Sequence, residues 1–138
     1  MIAGKGEKIL LRIVAEHADM WNTQGNPDRM QHLIEVMRRH GDKVGRDIDE
    51  IEKTVAIPFC YRASKEGEER ATQMAAVLGR TSPDEARKQM LIGGAQECLD
   101  TIDRYLKVGV THFTLAAFQP FDLDEVRRFA DEVIPQTR

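Results

Sequence analysis

An α/β fold, with parallel strands alternating with outer helices, is what this sequence predicts. Three observations carry that prediction. Short β-rich runs alternate with longer stretches of helical apolar spacing along the chain. The strand-like runs have few polar faces, as strands buried on both sides do. Glycine or proline stands at most of the junctions. The order reads strand stub, helix, strand, helix, strand, helices, strand, helix, which calls for right-handed crossovers.

The stub is Ile2 and Ala3, followed by a turn through Gly4 and Gly6. A helix is expected from about Glu7 to His17, with Ile9, Leu10, Ile13 and Val14 on its period. Ala18 to Asn22 reads as a brief strand and Thr23 to Asn26 as a loop. Asn26 is placed as an N-cap, with Pro27 at the first helical position. Met30, Leu33, Ile34, Met37 and Val44 form the stripe of a helix ending near Gly45. Gly41 weakens that helix by about 1 kcal/mol relative to alanine, so a break is expected there. Asp47 opens a short turn carrying Ile48 and Ile51.

Thr54 to Tyr61 is rich in β-formers, with Pro58 marking an end or a bulge. Ser64 starts a helix that Gly79 stops. Ser82-Pro83-Asp84-Glu85 is a capping box opening a helix to about Met90. After a turn at Gly93 and Gly94 a helix carries Cys98, Leu99, Ile102, Tyr105 and Leu106, and Gly109 ends it. Val110 to Ala116 is the clearest strand, Gln119 to Asp122 its exit loop, and Leu123 to Val133 the last helix, with Pro135 after its stop.

The totals narrow the function. The chain has 138 residues, 41% hydrophobic and 31% charged, which suits one domain over residues 1–138. A net charge of −3 with both signs mixed is no basic footprint for nucleic acid or anionic membrane. No apolar run reaches the length of a membrane span, and the opening residues do not form a signal peptide. Cys60 and Cys98 are far apart and in no ligand-like spacing, as expected of reduced thiols in a cytoplasmic protein. No pair of histidines has zinc-site spacing.

The candidate site is the opening turn: Gly4, Lys5, Gly6, Glu7 and Lys8. Glycines let the backbone approach a bound group, and the first amides and dipole of the following helix favour an anion such as phosphate. Lys5 and Lys8 add positive charge. The same residues also suit an ordinary strand-to-helix turn with solvated lysines. The pattern is neither a P-loop nor the full dinucleotide fingerprint.

Ala3-Gly4-Lys5-Gly6-Glu7-Lys8-Ile9-Leu10-Leu11-Arg12, followed by Ala18-Asp19-Met20-Trp21-Asn22, resembles the luciferase-like monooxygenase superfamily, and within it the oxidoreductases that use the deazaflavin coenzyme F-420. Val44-Gly45-Arg46-Asp47, Gly109-Val110-Thr111-His112-Phe113 and the closing Phe129-Ala130-Asp131-Glu132-Val133-Ile134-Pro135 fit in the same order. The resemblance implies the C-terminal half of a (β/α) TIM-type barrel, about four parallel strands with outer helices, since a full barrel takes about 250 residues. It also implies F-420 or FMN as cofactor, its phosphate held by Gly4, Lys5, Gly6, Glu7 and Lys8. The familiar form has glycines where this chain has Ala3 and Lys5. Where it often reads Gly-Thr-Pro-Glu, this chain has Gly94-Ala95-Gln96-Glu97, without the proline or the hydroxyl cap. The family's hydride-handling residues lie mainly on earlier strands.

Half a barrel implies two open sheet edges, at Ile2 and at Val110 to Ala116, and an uncovered inner face with Val55, Ile57, Phe59, Phe113 and Leu115 as candidates. Homo-oligomerisation, or a missing N-terminal half, is therefore expected. The alternative is a non-catalytic half-barrel used for binding or dimerisation. His112 reads as a packed or hydrogen-bonded histidine before a proton carrier, Trp21 as core before a ring support, and Cys60 as a thiol with nothing adjacent to activate it. No catalytic carboxylate pair is apparent, and turnover by this chain alone is not expected.

Overall fold

The computed structural model describes residues 1–119 and 122–137. Pro120 and Phe121 of the expected exit loop lie outside the described residues. Five strands form one sheet: β1 (Ile2–Ala3), β2 (Met20–Thr23), β3 (Glu52–Tyr61), β4 (Leu91–Gly93) and β5 (His112–Ala117). β1 to β4 lie side by side in that order, each pair parallel, and β5 also pairs with β3. The helices are α1 (Leu10–His17), α2 (Pro27–Val44), α3 (Lys65–Gly79), α4 (Pro83–Arg87), α5 (Ala95–Lys107) and α6 (Leu123–Glu132). This parallel α/β arrangement is half of a TIM-type barrel. The chain gathers into two compact units, residues 1–56 with 105–114, and residues 57–104 with 115–138.

In the first unit, Ile2 pairs with Trp21 and Ala3 with Asn22, while Met20 to Thr23 pair with Glu52 to Val55. α1 packs on α2, and Leu11 and Val14 of the one and Met30, Leu33 and Met37 of the other are buried. Asn26 caps α2 by accepting the Arg29 N–H at 2.8 Å, and Gly45 closes it in the left-handed region. The break expected at Gly41 does not occur. α2 runs through it unbroken, and a Cβ there would sit 2.5 Å from Ile48 Cγ2 and 2.7 Å from the Arg46 carbonyl oxygen. The glycine serves close approach rather than a kink. Lys53 is buried, which lowers its pKa, and its ammonium donates to the carbonyls of Ile48 and Ile51 at 2.6 and 3.0 Å.

In the second unit, Phe59 to Tyr61 pair with Leu91 to Gly93. α6 lays Phe129 edge-on against Phe59 and Tyr61, with centroids 4.9 and 5.5 Å away. Cys60 packs with Ala71, Ala75, Ala76, Ala86, Met90 and Ile92. β4 is an element that the sequence pattern did not reveal. Gly79 is the last residue of α3, but Arg80 rather than glycine takes the left-handed cap, at φ 51°. Ser82 caps α4 as expected. The turn before α5 is not without a cap: Glu97 reaches back and accepts the Gly94 N–H at 2.7 Å.

The expectation of strands buried on both sides holds for β3 in part. Lys53, Val55, Ile57, Phe59 and Tyr61 are all buried on one face, and on the other Thr54 and Cys60 are buried while Glu52, Ala56 and Pro58 are partly open. Val55, Ile57 and Phe59 are therefore not on an open face. β3 runs straight through Pro58 to Tyr61. β5 is exposed at His112, Thr114, Leu115 and Ala116.

Candidate functional site

The glycine turn is built by its neighbours on β2. Gly4 donates its N–H to the Asn22 carbonyl at 2.9 Å, and its own carbonyl accepts the Trp21 indole N–H at 2.9 Å. At φ 130° Gly4 occupies a region that side chains rarely adopt, and a Cβ would meet Leu10 Cδ2 at 3.0 Å. Trp21 is fully buried, so the tryptophan is core with its one polar atom satisfied.

α1 begins at Leu10 rather than near Glu7. Ile9 precedes it without a side-chain cap, and its first turn carries no acid. The helix start thus brings no competing carboxylate to its orphan amides. Glu7 instead faces α2. It accepts from Arg29 Nη2 at 2.9 Å, lies 3.2 Å from His32 Nε2, and its carbonyl oxygen is 2.8 Å from His40 Nε2. The His32 hydrogen bond first, and then Arg29, hold its carboxyl below the usual range. The loop is tethered to α2 through that residue.

At the C-terminal ends of β1 and β2 lies a cavity of about 230 Å³, lined by Ala3, Gly4, Lys5, Asn22, Thr23 and Gln24. It lies at the end of the strands where barrel enzymes place their sites. Among the described residues of that lining, Lys5 is the charged one. The size suits a phosphate and its ester; a whole drug-sized ligand takes roughly 300–1,000 Å³. Of the five residues read from the sequence, Gly4 and Lys5 line the cavity, Gly6 accepts the Leu11 N–H at 3.0 Å to start α1, Glu7 faces α2, and Lys8 is exposed. Asn22, Thr23 and Gln24 were missed. Their signal was the pairing of Ala3 with Asn22, which brings the two strand ends together. Asn22 Nδ2 donates to Thr54 Oγ1 at 2.6 Å, which fixes its carboxamide.

His112 opens β5, at the end of the strands away from this cavity. Its Nδ1 lies 3.4 Å from Glu52 Oε1, and its side chain is about half exposed. It is a paired surface histidine. Burial pushes the Cys60 thiol up to about 11 and the Cys98 thiol to about 12, so both are protonated and unreactive near neutrality. No group of three or more metal-ligating side chains is placed to hold an ion among the described residues. No helix among them is long and apolar enough to cross a membrane.

Past the end of β3, Glu125 accepts the N–H of Tyr61, and burial raises its pKa. An acid with a raised folded-state pKa contributes stability that is present below its unfolded pKa and lost as pH rises through the folded value. Glu125→Gln keeps an oxygen for the Tyr61 N–H and removes the charge. Urea midpoints measured across pH should show this variant level with wild type at about pH 4 and ahead of it at neutrality. Parallel profiles would contradict the assignment.

No family model and no curated relative matches the chain. Solved structures do. An F420-dependent secondary alcohol dehydrogenase in complex with an F420–acetone adduct superposes with a TM-score of 0.82 and 18% identity, over 99% of this chain and 48% of that one. The coenzyme F420-dependent tetrahydromethanopterin reductase of Methanopyrus kandleri gives 0.71 and 18%, over 99% and 50%. The long-chain alkane monooxygenase LadA gives 0.67 and 15%, over 97% and 39%. The fold is that of half of such a barrel, and the chain spans about half the length of the structures it matches or less.

Proposed function

We propose that this chain is the cofactor-phosphate-binding half of an oxidoreductase that uses F420 or FMN. The observation that carries the reading is the cavity at the ends of β1 and β2, with Gly4 and Lys5 in its lining and no acid among the described lining residues. The neighbours support the cofactor class: one is described in complex with an F420–acetone adduct, another in complex with FMN. Bound there, the cofactor supplies hydride chemistry at its ring. The chain's own residues anchor the tail: Lys5 neutralises phosphate charge, Gly4 admits it close to the backbone, and Trp21 and Glu7 hold the loop in place. Titration with F420 or FMN, comparing wild type with Gly6→Val, tests the site. The expected result is saturable binding that the valine weakens; equal binding by both proteins rejects the assignment.

A second reading is a half-barrel whose role is assembly. The exposure of β5 favours it, since Leu115 is 38% exposed on a strand that pairs with β3. Self-association of the chain is then expected in sedimentation equilibrium at micromolar concentration. A single stable species of 15.7 kDa would reject it.

A further inference from the structure

The C-terminal end of β3 opens on a second cavity, of about 320 Å³, that the cofactor reading does not use. Part of its lining is apolar: Phe59, Ala71, Met74 and Phe118. The charged part is Arg62, Arg70, Asp122 and Glu125. Ser64 and Gln119 add uncharged polar groups, so a cavity of this size offers one apolar wall and a polar, charged remainder to a small organic ligand.

The charges there do not cancel. Arg62 closes on Glu132 at 2.8 Å, and Asp122 lies 3.6 Å from Arg128. Glu125 is committed to the Tyr61 N–H, in surroundings that favour its neutral form. Arg70 has no ion-pair partner among the described residues. Arg62 also sits at φ 49°, a region that a non-glycine residue adopts only when its surroundings enforce it. An apolar wall beside one uncompensated guanidinium, within an otherwise polar lining, is complementary to an amphipathic anion, because the fork of an arginine matches an oxyanion in two hydrogen bonds.

We propose that this cavity binds a small organic carboxylate or sulfonate, its apolar body against Phe59, Ala71, Met74 and Phe118 and its anionic head on Arg70. The site does not depend on the cofactor reading, since all its residues belong to the unit of residues 57–104 and 115–138.

Octanoate, titrated into the full chain and followed by amide NMR, is the probe, with octan-1-ol as the uncharged control of equal length. Saturable octanoate shifts are expected at Ala63, Ser64, Gly67 and Arg70. Arg70→Gln and Arg70→Glu, both at an exposed helical position, should weaken octanoate roughly ten- to a hundredfold, the change that losing a charged hydrogen bond corresponds to. Arg127→Glu, whose guanidinium pairs with Asp124 outside the lining, should leave it unchanged. Gly6→Val should also leave octanoate binding intact, which separates failure here from failure of the cofactor site. Absence of saturable binding, octan-1-ol binding as tightly, or wild-type affinity in both Arg70 variants would overturn the proposal.

Discussion

Trp21→Ala is expected to cost about 3–5 kcal/mol, the range for emptying a large aromatic site in a core. Set against a whole-domain stability of roughly 5–15 kcal/mol, that leaves a chain near its unfolding transition at room temperature. The indole is fully buried, so neighbouring side chains must either collapse into its volume or leave a void. The loss has a second part. The indole N–H is the donor to Gly4, and without it the glycine turn loses one of the two hydrogen bonds that tie Gly4 to β2. Trp21→Phe separates the parts: it keeps most of the ring and should lose about 1 kcal/mol for the hydrogen bond in addition to a small packing loss. Trp21 is the sole tryptophan, so urea unfolding has to be followed by circular dichroism. A cost below about 1 kcal/mol for the alanine would show that the ring is not the anchor its burial indicates.

Gly41→Ala should destabilise by about 1–3 kcal/mol, although alanine is the better helix former. Propensity favours the substitution by about 1 kcal/mol. Packing opposes it, because the new methyl would lie 2.7 Å from the Arg46 carbonyl oxygen, an atom of the backbone that cannot rotate away. Arg46 also holds α1: its guanidinium donates to the carbonyls of Ala15 and Ala18 at 3.4 and 2.7 Å. Pushing Arg46 aside therefore loosens the end of α1 as well. Thermal unfolding of the variant decides between the two effects, and an unchanged or raised midpoint would mean that propensity wins.

Much of the fold was legible because its signals are local. α2 announced itself through Asn26-Pro27, a five-residue apolar stripe and Gly45, and α4 through its capping box. β4 was not legible. Three buried residues between a five-residue helix and a glycine pair are too few to show a period of two rather than 3.6. The glycine turn could be read as a turn, and the resemblance supplied its expected ligand. What could not be read was the division of labour within it. Glu7 meets Arg29, His32 and His40 only because α1 and α2 pack together, and Asn22 meets the cavity only through strand register. Gly41 was misread for the same reason: propensity says that a glycine weakens a helix, while only tertiary structure says what passes beside it.

The two-toned character of β3 sets a limit on how the chain can go wrong. Slipping the strand by one residue would present Glu52, Ala56 and Pro58 where Lys53, Ile57 and Phe59 now lie, and would bring those buried side chains toward the partly open face. The change would fall hardest at those positions, since Thr54 and Cys60 on the second face are themselves buried. Neighbouring registers are thus poor competitors, and Pro58 has no N–H to offer a mispaired strand. A one-residue slip of β3 would thus exchange a fully buried row for one that carries Glu52 and Pro58, and the strand's own composition opposes it.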